Sequence, residues 1–291
     1  MSVCFLSSAK QYRQFDFFHL QIQYRTCNDA SAFNCWSQLY IAYIFPIHGE
    51  YSSTQIWTVL EHFYLGKPPT MFDNPNTIDI CVNTKHSNGK FYYAIKYDLY
   101  RHIPLYAAYQ VNSFSGKVRR PRSWHVENDL PTKRKDKTYF QASNKDYIGS
   151  NYDKGHLFPA LYNRDSREKM FSTFTLINAA PMSIQFNRGL WKTVEAITLR
   201  LLNDSCRFPG AKRFVITGTV PGKKRTKNAT DGINIPEFVW NVIYCDSSHA
   251  EEMFKHRGWS FGHLVRQIDT HYTRFRIGEL NFFLTLLMSG I

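Results

Sequence analysis

The segment from residue 153 to residue 201 constrains the fold most, because it joins a short polar run to a helix with one apolar face. The polar run reads Asp-Lys-Gly-His-Leu-Phe-Pro-Ala and extends from Asp153 to Ala160. Beyond it, apolar residues recur at spacings of four, three and four, the pattern of an amphipathic helix; they are Leu190, Val194, Ile197 and Leu201. Asn187 precedes them and is a good helix cap, so we predict a helix that starts near Asn187.

Runs of β-branched and aromatic residues predict the sheet on which this helix packs. They lie at residues 91–97, 105–111, 214–219 and 238–244, and the first two are expected to be antiparallel neighbours. A further strand is predicted at 173–178, followed by a loop that contains Pro181. The part from about Ser247 onwards has a helical and mixed pattern. We therefore expect an α+β fold with a central antiparallel sheet flanked by helices.

The length of the chain is sufficient for one large domain. Of the 291 residues, 43% are apolar and 16% are aromatic, enough to bury a substantial core. Residues 1–58 contain no motif and no sustained period, so we expect a poorly specified leader there, a domain at 59–280 and a tail at 281–291. No run of 18 or more apolar residues occurs, so we predict no membrane span.

The chain is strongly basic, which favours polyanionic partners. It has 36 lysines and arginines against 23 aspartates and glutamates, a formal charge of +13 and a pI near 9.4. Nucleic acid, an anionic membrane surface and acidic glycans all satisfy this preference. Basic clusters at 119–122, 133–137 and 223–225 indicate surface or groove lining rather than core.

Cysteines and glycosylation sequons favour secretion. Six cysteines are scattered without the spacing of a zinc site, and sequons begin at Asn203 and Asn228. Charged residues interrupt any signal-like apolar region at the amino end, which conflicts with these cues. We therefore interpret the chain as secreted with an atypical or misassigned start. Because Cys206 follows the predicted helix and Cys245 ends a predicted strand, we predict a disulfide between them.

His156 is the first candidate catalytic residue. The pKa of an imidazole is ordinarily near neutrality, and Gly155 allows the backbone to turn sharply and present the ring. A histidine that follows a glycine is more often structural, so the interpretation depends on a second stretch, Thr173 to Glu195, which reads TFTLINAAPMSIQFNRGLWKTVE.

Taken in order, Asp-Lys-Gly-His, Asn-x-x-Pro and Asn-x-x-x-Trp-x-x-x-Glu resemble the DNA/RNA non-specific endonuclease family, which has a ββα-metal fold. Within that family, the chain looks most like the endonuclease domain-containing 1-like branch. The resemblance covers roughly residues 60–280; the supporting runs are residues 63–69, 103–109, 214–219 and 235–240.

The resemblance implies a role for each matching residue. It makes His156 the general base, Asn187 the one protein ligand of a Mg²⁺ ion, and Glu195 an acid that holds metal-bound water. Mn²⁺ would also suit such oxygen ligands. Arg122 falls where the family places an arginine on the phosphoryl group. The remaining implied roles are substrate contacts at Lys154, Arg119 and Arg120, and structural places at Asp153, Gly155 and Asn178.

The implied function is metal-dependent hydrolysis of DNA and RNA that leaves 5′-phosphate and 3′-hydroxyl ends. Two residues depart from the family pattern: Lys154 replaces an arginine, which removes a fork of donors, and Met182 replaces a glutamine, which removes an amide. Two alternatives therefore stay open. One is a weak or inactive homologue that acts as a nucleic-acid-binding or immune interaction protein, and the other is a secreted protein that binds glycans or membrane surfaces.

Overall fold

An eight-stranded antiparallel sheet organises the computed structural model, which describes residues 3–6, 60–84, 87, 90–127, 130, 141–226 and 232–279. The strands of this sheet are β1 (Val3–Leu6), β2 (Thr77–Val82), β3 (Tyr93–Asp98), β4 (Ile103–Gln110), β7 (Lys212–Val220), β10 (Phe238–Asp246), β11 (Trp259–Arg266) and β12 (Thr273–Phe275), which neighbour one another in that order. Two ribbons accompany the sheet; they are β5 (Tyr152–His156) with β6 (Ala179–Ser183), and β8 (Lys224–Arg225) with β9 (Asn234–Ile235).

Helical segments lie mainly on one face of this sheet. The helices are α1 (Asn144–Tyr147), α2 (Arg167–Ser172), α3 (Ile184–Phe186) and α4 (Lys192–Ser205), and a π turn at Asn187–Trp191 joins α3 to α4. Short 3₁₀ turns occupy Tyr64–Gly66, Ala160–Asn163, Leu176–Asn178 and Glu252–Arg257.

The core has a layer on each face of the sheet. On one face, Trp191 of the π turn and Val194 and Leu202 of α4, the long helix, pack among buried residues of the central strands. On the other face, Phe72 stacks on Trp240 with ring centroids 5.8 Å apart. Strand β3 is buried along its whole length because both layers cover it. The sheet is therefore a rigid platform for the elements that follow β4.

Several predictions from the sequence are confirmed. The runs at 91–97, 105–111, 214–219 and 238–244 correspond to β3, β4, β7 and β10, and β3 and β4 are antiparallel neighbours. Cys206 and Cys245 form the predicted disulfide, with Cα atoms 5.8 Å apart. It ties the end of α4 to β10.

Among the described residues, no helix is long and apolar enough to cross a membrane.

The strand predicted at 173–178 is wrong. Leu176–Asn178 form a 3₁₀ turn, and the strand begins only at Ala179 and includes Pro181, where a loop was expected. Residues 172–182 are all buried, so the apparent alternation did not mark one face. A proline fits here because each strand of a two-stranded ribbon is an edge. The side chain of Gln267 satisfies the outer edge, since its Nε2 donates to the Pro181 carbonyl over 3.0 Å.

The helical character predicted after Ser247 is also wrong, because β11 and β12 extend the sheet there. Alternate residues of β11 face the core beneath α4; they are Trp259, Phe261 and Val265. A period of two therefore holds in a region that we interpreted with a helical period. The predicted tail and nearly all of the predicted leader lie outside the described residues, as do the sequon at Asn228 and the basic cluster at 133–137.

Candidate active site

A cleft of about 920 Å³ opens where the β5–β6 ribbon meets the long helix. Helix α1, the segment around Arg120 and the turn at Ala160–Asn163 form its other sides. Six basic side chains and two carboxylates line it; the basic ones are Arg119, Arg120, Lys154, Arg164, Arg188 and Lys192, and the acids are Asp153 and Glu195. Positive charge that exceeds negative charge in a concave site attracts a polyanion.

His156 ends strand β5 and lies in an aromatic enclosure beside the cleft. Its ring centroid is 4.4 Å from that of Trp124 and 4.8 Å from that of Phe174, and only 6% of the residue is exposed. Burial lowers the pKa of His156 well below its ordinary value, and the charge of Arg120 lowers it further. The ring is therefore neutral near pH 7 and has a nitrogen able to accept a proton.

Gly155 is required beside this histidine. A Cβ atom at Gly155 would lie 2.3 Å from Sδ of Met182, which is fully buried. No side chain other than hydrogen fits that space without a shift of the core. Gly155 lies inside strand β5 and pairs with Ala180, so the sharp turn expected there is wrong, and the glycine instead leaves room for Met182, one of the departures from the family pattern.

Asp153 holds two residues of the π turn. Its carboxylate accepts from Nδ2 of Asn187 over 2.9 Å, and from Nε and Nη2 of Arg188 over 2.8 and 2.9 Å. The hydrogen bonds with Arg188 keep the pKa of Asp153 below its ordinary value, so the carboxylate is ionised at neutral pH. Because the amide nitrogen of Asn187 is engaged in this way, Oδ1 is the atom that it offers to a cation.

The prediction that Asn187 caps the helix is wrong, because helical structure already begins at Ile184. The cap is Ser183, whose Oγ accepts from Phe186 N. The π turn contains about one extra residue, which removes roughly 100° from the 80° that separates positions eight apart on an α-helix. Asn187 and Glu195 therefore come within about 20° of each other around the axis, and both line the cleft.

Glu195 is half-buried at the base of the cleft. Burial raises its pKa from 4.5 to about 8, while the charges of Arg120 and Lys192 act in the opposite direction. Its backbone carbonyl accepts from the hydroxyl of Tyr162 over 2.9 Å. A carboxylate that is costly to ionise when alone gains most from a neighbouring cation.

Glu195 predicts that, without divalent cations, stability falls as the pH rises toward 8. The folded state keeps its proton up to about pH 8, whereas the unfolded chain loses it near 4.5, so the unfolded state binds fewer protons and stability decreases. The depressed pKa of His156 affects stability only below about pH 6.5, the ordinary pKa of a histidine, so it does not contribute at higher pH. Between pH 6.5 and 8 in chelator, we expect urea denaturation to show a loss of about 1 to 2 kcal/mol in wild type that Glu195→Gln lacks. Identical pH profiles would contradict this.

The donor set fits a hydrated divalent cation. Among the described residues, no three His, Cys, Asp or Glu side chains are grouped closely enough to hold a metal ion by themselves. The cleft instead offers the amide oxygen of Asn187 and the carboxylate of Glu195. A cation such as Mg²⁺ that keeps several waters needs only one or two such oxygens.

The structure separates the two arginines considered for the phosphoryl group. Arg122 is exposed and does not line the cleft, whereas Arg120 does. The guanidinium of Arg120 lies 5.4 Å from the ring centroid of Phe174, and its charge affects the pKa values of both His156 and Glu195. Arg119 also lines the cleft. Arg120 is therefore the arginine that the fold brings to the site.

The two other predicted residues have distinct surroundings. Lys154 lines the cleft with Nζ 5.4 Å from the ring centroid of Tyr147, and burial lowers its pKa. Asn178 is fully buried and clamps the chain beside His156, since Oδ1 accepts from Phe158 N over 2.8 Å and Nδ2 donates to the Phe158 and Thr173 carbonyls. Asn178 thus has a structural place and no access to the cleft.

The sequence interpretation missed Arg188 and Lys192, both of which line the cleft. A signal was present, because residues 188, 192 and 195 recur at spacings of four and three, which places charged side chains on one helix face. The sequence interpretation also missed Trp124, whose ring contacts that of His156. Its contact depends on tertiary structure.

Comparisons with known proteins place the chain in a family. The profile of the DNA/RNA non-specific endonuclease family matches residues 75–270. The Endonuclease domain-containing 1 protein of Homo sapiens is 29% identical over 231 residues, 72% of this chain and 41% of that protein. The mitochondrial Nuclease EXOG of Xenopus laevis is 31% identical over 123 residues, 39% of this chain and 33% of that protein. A chain of the solved EndoG/EndoGI complex is 20% identical, with a TM-score of 0.49 over 75% of this chain and 82% of that chain.

Proposed function

The chain belongs to the DNA/RNA non-specific endonuclease family, and from that premise we propose that it hydrolyses phosphodiester bonds of DNA and RNA in the cleft beside His156. The β5–β6 ribbon and the helix after it correspond to the two strands and the helix of the ββα-metal fold. The observation that carries the proposal is that a neutral histidine, an oriented amide oxygen and a half-buried carboxylate line one basic cleft.

His156 acts as the general base. Its neutral ring accepts a proton from the water that attacks phosphorus, the bond between phosphorus and the 3′ oxygen breaks, and the 3′ oxygen takes up a proton from solvent. The low pKa of His156 keeps it unprotonated before substrate binds. A phosphate that enters the cleft brings negative charge, which raises the pKa of the imidazole and makes it a stronger base at that moment. The products carry 5′-phosphate and 3′-hydroxyl ends.

Asn187 would hold a divalent cation such as Mg²⁺ or Mn²⁺ directly and Glu195 would hold it through bound water, and the cation would neutralise charge that develops on the phosphoryl and departing oxygens. Asp153 orients the ligand, because its carboxylate accepts a hydrogen bond from Nδ2 of Asn187 and so leaves Oδ1 for the cation. Arg120 takes the role that we first expected of Arg122, and donates to the phosphoryl oxygens. Lys154 and Arg119 contact flanking phosphates, which carry no sequence information.

The disulfide bears on where the protein acts. The disulfide between Cys206 and Cys245 is compatible with secretion into an oxidising compartment.

A second candidate function is nucleic-acid binding with weak or no hydrolysis. Lys154 favours it, because this lysine approaches the Tyr147 ring and lacks the donor fork of an arginine.

The basic cleft predicts binding that weakens steeply with salt. Lys192 and Arg200 are both exposed on α4, but only Lys192 lines the cleft. The slope of log binding constant against log salt is negative, and we expect Lys192→Ala to reduce its magnitude by about one, because one phosphate contact is lost, and Arg200→Ala to leave it unchanged. Fluorescence anisotropy with a labelled oligonucleotide between low and physiological salt measures both. Equal slopes in all three proteins would contradict a phosphate-binding role for the cleft.

A further inference from the structure

One side of the cleft differs from the others in its lack of charge. Between residues 141 and 152, the side chains that line the cleft are uncharged; they are Asn144, Tyr147, Ile148 and Tyr152. We call the last three the apolar wall. The remaining sides carry basic residues from the segment around Arg120, from Arg164 and from the long helix. The lining of these other sides is mixed, because Val118, Trp124 and Leu161 lie among the basic residues. Within the described residues, the side from Asn144 to Tyr152 therefore differs in having no charged lining residue.

Ile148 is the most unusual residue of the apolar wall, because 74% of it is exposed. Single exposed apolar residues are ordinary on a protein surface. In a cleft with six basic side chains, however, an exposed isoleucine provides no contact for phosphate. Tyr152, two residues before Lys154, is half-buried and adds an aromatic ring to the same wall.

The apolar wall is held in place before any ligand binds. Ser150 fixes the turn, since its Oγ donates to the Tyr147 carbonyl over 2.9 Å and accepts from Tyr152 N over 3.2 Å. The left-handed backbone at Gly149 and Asn151, with φ of 71° and 61°, sharpens this turn. Asn144 anchors α1 by donating to the Trp124 carbonyl over 3.1 Å. Contacts that are already ordered cost less entropy on binding.

We propose that the apolar wall holds an unpaired base next to the scissile phosphate, so that the chain prefers single-stranded DNA and RNA. This inference rests on the proposed function and specifies its substrate class. A single strand can turn its phosphates toward the basic sides and a base toward Ile148 and Tyr152. A duplex hides its base faces in the stack and presents phosphates from both strands, so it would set a charged backbone against the apolar wall.

The test measures binding without catalysis. In chelator, fluorescence anisotropy compares a labelled single-stranded 12-mer with a hairpin duplex for wild type, Ile148→Ala and Tyr152→Ala. Ile268→Ala is the matched control, because Ile268 is 77% exposed and does not line the cleft. We expect wild type to bind the single strand more tightly, each wall variant to lose about fivefold or more on the single strand alone, and the control to match wild type.

The outcomes separate this inference from the proposed function. Equal affinity of wild type for the two substrates, or wall variants that weaken both alike, would overturn the inference whether or not the protein cleaves nucleic acid. Selective binding of the single strand that Ile148→Ala removes would support it, even if no substrate were cleaved after Mg²⁺ is added. Absence of cleavage on every substrate would contradict only the proposed function.

Discussion

Replacing His156 with alanine is expected to lower the rate of DNA and RNA cleavage by about 10² to 10⁴-fold, the usual contribution of a general base. Among the described residues, no other histidine lines the cleft, and the imidazole of His156 is neutral at pH 7. The measurement is the initial rate on plasmid DNA and on a structured RNA with Mg²⁺ present. Binding of either polymer in chelator should change little, since His156 carries no charge there.

His271→Ala provides the matched control, because His271 is exposed and lies outside the cleft. His156 is buried, so a loss of activity must be separated from unfolding by thermal denaturation of each variant. His156→Gln keeps a polar side chain of similar size and should also be inactive. A folded His156→Gln variant with the wild-type rate would contradict the assignment of the base.

Replacing Asn187 with alanine is expected to lower the rate of Mg²⁺-supported cleavage by about 10²-fold or more. Aspartate at this position should fail as well, although a carboxylate is a good ligand for Mg²⁺. The carboxylate of Asp153 accepts from Nδ2 of Asn187 over 2.9 Å, so a second carboxylate there would face it without a proton between them. The measurement is the rate as a function of Mg²⁺ concentration.

Asn112→Ala is the control for this change, because Asn112 is exposed and does not line the cleft. Asp153→Asn tests the orientation separately: it removes the carboxylate that holds the amide but no ligand, and should raise the Mg²⁺ concentration required for half-maximal rate. An Asn187→Asp variant that cleaves as fast as wild type at lower Mg²⁺ would show that Asp153 does not constrain this residue.

The sequence predicted those parts of the fold that depend on local pattern. The apolar spacing from Leu190 to Leu201 lies almost entirely within the regular part of the helix, so it revealed α4 but not the π turn before it. That turn changes the phase between Asn187 and Glu195, and thus decides that both reach the cleft. The disulfide was predictable because Cys206 and Cys245 end neighbouring elements.

The choice between Arg120 and Arg122 depends on long-range contacts that no local pattern records. Val118 N donates to the Arg164 carbonyl over 3.0 Å, and the backbone at Gly116 approaches the same carbonyl so closely that a Cβ atom would lie 1.9 Å from it. These contacts fix which side of the segment faces the cleft. Similarly, complete burial of residues 172–182 made strand and turn indistinguishable by alternation.

The most direct test of the proposed activity is cleavage of plasmid DNA and of a structured RNA by the purified wild-type protein, with Mg²⁺ or with chelator, followed by analysis of the ends. We predict cleavage of both polymers only with the cation, and products that carry 5′-phosphate and 3′-hydroxyl groups. A folded protein that binds both polymers but cleaves neither, or that leaves 3′-phosphate ends, would contradict the account.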